Sequence, residues 1–154
     1  MEGRTVSQTA VIMAQVMLPN QANAVGNVHG GEIMMMMDNA SGVVATRHTR
    51  ANVVTARVES IDFYHPIFVG NLVTVSARLT FVSKHTMEVE LEVVAEDLAA
   101  GNQTHALTAY FVMVALDDHG RPQEVYPLII QSEEEQRRFD EGRRRYEQRK
   151  RVAD

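Results

Sequence analysis

One carboxylate stands alone in an uncharged stretch. From Ile33 to Ala45 the chain reads IMMMMDNASGVVA, and every residue there except Asp38 is apolar, small or an uncharged amide. A helix over this stretch has no polar face to turn to water, the pattern of a helix buried all round. An ionised carboxylate in such surroundings costs free energy unless a partner or a function compensates it. Two accounts are open: local capping or pairing, with Asn39, Ser41 or an arginine of a neighbouring strand, and use of the carboxylate in chemistry. Structural ion pairs perturb acids as active sites do, so Asp38 alone does not separate them. Its neighbours one turn away on the same face, Gly31, Met34, Ser41, Gly42 and Ala45, are mostly small and leave room for a backbone or a ligand.

The residues upstream favour chemistry. Val28-His29-Gly30-Gly31 puts two glycines where the chain enters the helix. Free N–H groups at a helix start, here those of Gly30 and Gly31, hold an oxygen that carries negative charge. A carboxylate about two turns further on, with an anion-holding helix end before it, is the pairing that acyl transfer requires. Rival chemistries lack their residues. The histidines, at 29, 48, 65, 85, 105 and 119, show no ligand spacing such as H-E-x-x-H, so no metal is expected. There is no P-loop or dinucleotide fingerprint, and with no cysteine there is no thiol nucleophile, thiolate ligand or disulfide.

Positioning these groups calls for a particular set of elements within 154 residues, enough for one domain. Residues 5–18, rich in β-branched and apolar types, predict a first strand stopped at Pro19-Asn20. A loop over 20–31 leads into the helix, expected from Gly31 to Arg47, whose four methionines suit irregular core or an adaptable acyl-chain wall. Val53–Tyr64 reads as a strand closed by His65-Pro66. In 73–81, Val73, Val75, Ala77, Leu79 and Phe81 point one way and the polar residues the other. In 87–96, Met87, Val89, Leu91 and Val93 oppose Glu88, Glu90 and Glu92, so one face of the sheet is expected to be covered and one wet. SKHT, residues 83–86, reads as the hairpin between them, and Thr104–Leu116 as the last strand. One helix and mostly antiparallel strands give an α+β chain. Ser132-Glu133-Glu134-Glu135 is a capping box that opens a charged helical tail, dividing the chain into a domain over 1–130 and a tail over 131–154.

Net charge is -5, and the tail from Ser132 carries eight Lys or Arg against seven Asp or Glu, leaving -6 for the rest. This argues against a nucleic-acid partner. The N-terminus lacks a basic region followed by a continuous apolar run, and no stretch of about eighteen apolar residues occurs, so neither a leader peptide nor a membrane span is expected and the cytoplasm is the default setting.

The run GNVHGGEIMMMMDNASGVVATRH followed by NVVTARVESIDF, with FVSKHTMEVELEVVAED and the tail FDEGRRRYEQRK, resembles the hotdog-fold acyl-CoA thioesterases, in particular the cytosolic long-chain acyl-CoA hydrolase type. The resemblance covers nearly the whole chain. It implies a hotdog fold, an antiparallel sheet wrapped around one apolar helix, and hydrolysis of fatty acyl-CoA to fatty acid and CoA without a cofactor. It further implies that Asn23 orients the water or the thioester while Asp38 acts as general base, or less readily as nucleophile. For CoA it implies main-chain contacts along Val54-Thr55-Ala56, phosphate contacts near Ser83-Lys84-His85 and a nucleotide contact from Arg144. Asparagine and aspartate of one site can come from two hotdog units, so a homodimer is expected, with a trimer of dimers (hexamer) often built further. Unlike two-domain relatives, which divide the two residues between their repeats, this single domain keeps both. Two other functions remain as alternatives: an acyl-thioester hydratase that recruits His29, and a non-enzymatic acyl-CoA sensor that has no need of Asp38.

Overall fold

Thr5 opens the chain with T-x-x-Q, a capping signal that outweighs the β-branched composition around it. In a computed structural model that describes residues 2–59 and 61–153, the expected first strand is therefore divided. β1 (Arg4–Thr5) gives way to α1 (Val6–Thr9), with the Gln8 N–H donating to Thr5 Oγ1 and the Thr5 N–H to Gln8 Oε1, before β2 (Val11–Val16) begins. A 3-10 turn at Pro19–Gln21 and a loop lead to α2 (Gly30–Thr49), then β3 (Asn52–Val58), β4 (Leu72–Val82), β5 (Thr86–Asp97), β6 (Asn102–Leu116), β7 (Leu128–Ile129) and α3 (Glu133–Ala153). The strand expected to reach Tyr64 stops at Val58. Ser60, inside that expected strand, lies outside the described residues, as do Met1 and Asp154 at the ends of the two expected units.

Five strands form one antiparallel sheet in the order β2-β4-β5-β6-β3, with β2 and β3 at its edges. β1 and β7 form a small parallel pair apart from it, which the sequence reading lacked. α2 lies across one face and buries Ile33, Met37, Ala40, Val44 and Ala45 against Val75, Leu79, Val89, Leu91 and Phe111. It is not buried all round: Met34, Met35, Asp38, Asn39 and Arg47 are exposed in the single chain. The helix ends at Arg50, in the left-handed conformation at φ 54°, while the Arg4 guanidinium caps it by donating to the His48 carbonyl at 2.5 Å, a cation at the negative end of the helix.

The other face is covered too, against expectation, and α3 covers it. At Thr80 a bulge in β4 sets Phe81 opposite Glu88 instead of continuing the inward row, so Phe81 packs against Phe139 and Tyr146 of α3. Glu88, buried at 3% exposure, accepts two hydrogen bonds from Arg145, at 2.8 and 2.9 Å, and one from Thr80 Oγ1. Gly142 is what allows this approach: a Cβ there would lie 2.6 Å from Phe81 Cβ and 2.9 Å from Glu88 Oε1. Gly142→Ala is therefore expected to destabilise by up to about 2 kcal/mol, since a clash of about 1–3 kcal/mol is set against a gain of about 1 kcal/mol in helix propensity. Urea unfolding of the two proteins measures it.

Tyr110 on β6 completes the buried polar face. Its hydroxyl donates to Glu90 Oε2 at 3.1 Å, and the Arg145 guanidinium lies 3.8 Å above its ring. Burial, then the Glu90 carboxylate, push the phenol up to about 12. The folded chain thus keeps a proton that the unfolded chain releases near pH 10. Stability is expected to fall as pH rises from about 10 through about 12, and urea midpoints of Tyr110→Phe across that range should lack this part of the fall.

Candidate active site

The cleft beside Asp38 is built by α2 and the edge strand β3. It encloses about 670 Å³ and is lined by Asp38, Gly42, Arg47, Val54, Thr55 and Met113, among others. Asp38 faces this open space and not the core. Thr55 Oγ1 donates to Asp38 Oδ1 and lies 3.4 Å from Met113 Sδ, so one carboxylate oxygen is held while the other is free to take a proton. Gly42, one turn on, keeps the wall low.

A bulge in β3 aims these side chains. Thr55 pairs with Met113 and Arg57 with Val112, with Ala56 as the extra residue between them. Without the bulge, Thr55 and Arg57 would share one face of the pleat. Instead Thr55 turns toward α2, while Arg57 turns to α3 and pairs with Glu59, which Arg149 also holds at 2.9 Å. Two residues that sequence reasoning missed in this role are thus in the cleft: the Thr55 hydroxyl, expected to offer main chain alone, and the cation of Arg47, anchored by its hydrogen bond to the Ala10 carbonyl. Arg47 was discoverable, nine residues after Asp38 on one helix; the bulge that turns Thr55 leaves no mark in the sequence.

Asn23, Gly30 and Gly31 form a separate group at the start of α2. Asn23 Oδ1 accepts from the N–H groups of Val25 and Asn27, at 3.1 and 3.0 Å, which fixes the side chain and leaves its NH2 to donate. The His29 N–H is used by Gln21 O and the His29 carbonyl accepts from Glu32 N–H. The N–H groups of Gly30 and Gly31 open the helix, where no intrahelical carbonyl precedes them. Asp38 lies about 10 Å further along the axis at 1.5 Å per residue.

The residues expected at CoA lie on two further elements. Val54, Thr55 and Ala56 are exposed on β3, at the open edge of the sheet. Thr86 pairs with Val114 and Val114 with Val54, so the β4–β5 turn sits at the same end of the sheet, two strands or about 10 Å away. In that turn the Ser83 hydroxyl is engaged with Thr86, whereas the side chains of Lys84 and His85 are exposed. Arg144 is exposed on α3 above a separate shallow pocket with Glu133 and Asp140, away from the Asp38 cleft. Among the described residues no group of three or more carboxylates or imidazoles gathers as a metal site. No helix among them is long and apolar enough to cross a membrane.

The chain belongs to the thioesterase superfamily, whose sequence pattern matches residues 25–101. Cytosolic acyl coenzyme A thioester hydrolase of Mus musculus is 38% identical over 151 residues, 97% of this chain and 40% of that protein. The chain spans about two fifths of the length of these curated relatives. Among solved structures, an apo-hexameric acyl-CoA thioesterase superposes with a TM-score of 0.92 at 29% identity, over 99% of this chain and 98% of that one. An acyl-CoA hydrolase from Staphylococcus aureus, solved with butyryl coenzyme A, coenzyme A and coenzyme A disulfide, superposes at 0.88 and 27% identity over 97% and 92% of the two chains. That enzyme has also been solved with single asparagine, aspartate and threonine residues changed to alanine. The sheet wrapped on α2 is the hotdog fold, of the α+β class that the sequence predicts.

Proposed function

We propose that this chain is an acyl-CoA thioesterase that hydrolyses acyl-CoA to a fatty acid and CoA with Asp38 as general base. The observation that carries the reading is the Asp38 carboxylate, held through one oxygen by Thr55 in an open cleft of a thioesterase-superfamily fold. The free oxygen takes a proton from water as the water attacks the thioester carbonyl. The N–H groups of Gly30 and Gly31 receive the oxyanion, and the Asn23 NH2 orients the thioester. The C–S bond then breaks, and the departing thiolate of CoA takes the proton back from Asp38 and leaves as the thiol. Val54, Thr55 and Ala56 carry the pantetheine arm on the open strand edge. Lys84 and His85 meet the phosphates, Arg144 reaches the nucleotide from a neighbouring copy, and Ser83 shapes their turn. The reaction as drawn uses no cofactor besides the CoA of the substrate. The changed asparagine, aspartate and threonine of the Staphylococcus aureus enzyme follow one another at intervals of 15 and 17 residues, the order and intervals of Asn23, Asp38 and Thr55.

One chain does not complete this site. A water at Asp38 and an oxyanion at Gly31 must lie on the two sides of a single carbonyl carbon, within about 3–3.5 Å of the reacting atoms, and the two groups are about 10 Å apart along α2. A second copy supplies the other half: Asp38 of one chain works with Asn23, Gly30 and Gly31 of the next. The exposed Met34, Met35 and Val58 around the cleft are the apolar surface such a copy covers, and the hexameric state of a structural neighbour supports assembly. Mixing tests this arrangement. Asn23→Ala and Asp38→Asn, each inactive alone, are expected to regain about a quarter of parent turnover when refolded together in equal amounts. Half of the dimers are then mixed, and one of the two sites in each is intact. No recovery in dimers shown to be mixed refutes the two-chain site, and no CoA release by the parent from any acyl-CoA refutes the thioesterase reading.

A further inference from the structure

The start of α2 borders a second, smaller cavity. Val28, Gly30, Ile33, Phe63, Pro66 and Ile67, with Asn27 at the side, enclose about 210 Å³. The floor belongs to the core, with Ile33 and Ile67 at 0% and 4% exposure, while Phe63 is 43% exposed. That ring lies against the helix start: its Cζ is 3.6 Å from where a Cβ on Gly30 would stand. The backbone around it is pinned. The Tyr64 N–H donates to Ala106 O at 2.9 Å, and the Val28 N–H to Ile67 O at 2.8 Å. A fixed frame with one half-exposed aromatic ring is the form of an adjustable wall.

Gly30 joins this cavity to the chemistry. The same residue whose N–H faces the developing oxyanion lines the cavity, so the carbon chain attached to that carbonyl starts at its mouth. Six of the seven lining residues are apolar or glycine, which suits hydrocarbon and leaves a charged headgroup without a partner.

We propose that this cavity receives the acyl chain of the thioester and that Phe63 sets the length it admits, an inference that rests on the thioesterase reading of the helix start. At about 30 Å³ for a water-sized group, the space holds about seven such groups, and it falls below the roughly 300–1,000 Å³ of sites that enclose drug-sized ligands. The substrate class is therefore short to medium straight-chain acyl groups of up to about eight carbons. A longer chain must displace the Phe63 ring.

The test is kcat/KM on acyl-CoAs from two to sixteen carbons for the parent, Phe63→Ala and Val28→Phe, together with inhibition by free CoA. In the parent, kcat/KM is expected to rise by up to about fourfold per added methylene, the factor for burying one, and to fall beyond about eight carbons. Phe63→Ala moves the optimum to longer chains and Val28→Phe moves it to shorter ones, while CoA inhibits all three alike. A parent that is active with the same chain profile in both variants overturns the proposal. So does a uniform loss at every length in Phe63→Ala, which would make Phe63 a support of the helix start. A parent that turns over no acyl-CoA refutes the thioesterase reading instead.

Discussion

Asp38→Asn releases CoA about a thousandfold more slowly than the parent, within the roughly 10²–10⁴ that a positioned general base contributes, and binds CoA unchanged. The substitution is close to isosteric and the side chain is exposed, so the fold has no reason to respond. The amide oxygen of asparagine still accepts the Thr55 hydroxyl, which keeps the geometry and removes the base alone. Release is followed with a thiol reagent, and the chain gives no background because it has no cysteine. Turnover within tenfold of the parent would show that water is activated elsewhere. CoA affinity lost together with turnover would make Asp38 a binding residue.

Arg145→Met lowers stability by about 3 kcal/mol, the lower end of the roughly 3–5 kcal/mol found when one partner of a buried ion pair is removed. The Glu88 side chain is only 2% exposed, and Arg145 is its sole bidentate partner among the described residues. The low end is expected because Arg149, at 4.0 Å from Glu88, and Thr80 Oγ1 remain. In thermal unfolding this is a fall of about 10 °C for a chain of this size. Adding Glu88→Gln should restore part of it, since the uncompensated charge carries most of the cost. A loss under about 1 kcal/mol would mean that Glu88 reaches water once the arginine is gone. Arg149 also holds Glu59 at the end of β3, so α3 steadies the strand that carries Thr55.

Much of this was legible because it is local. The helix over Gly30–Thr49 follows from the apolar run and the glycines before it, and the strands at 72–82, 86–97 and 102–116 follow from alternation and turn residues. The solitary carboxylate marked Asp38, and the order of motifs marked the family. T-x-x-Q at Thr5 was legible as well, but β-branched neighbours masked the capping signal. What period-two patterning misses is a bulge, since one extra residue reverses the face of everything after it. That is why Phe81 and Arg57 turn to α3. Glu88 and Glu90 of β5 keep the face that alternation predicts, and they are buried because α3 and its neighbours cover that face.

In the tail, the sequence shows eight cations that look equivalent. Only the packing of α3 separates Arg145, half-buried against Glu88, from Arg144, exposed one residue earlier in the helical turn. By itself the sequence determined which groups can do the chemistry and the elements that carry them, because helix periodicity, capping and residue type act over a few residues. The tertiary structure decided where those groups meet. Within one chain it puts Thr55 on Asp38 and keeps Asp38 about 10 Å from the helix start, because an α-helix is a rigid spacer that no side chain of that length can fold back across.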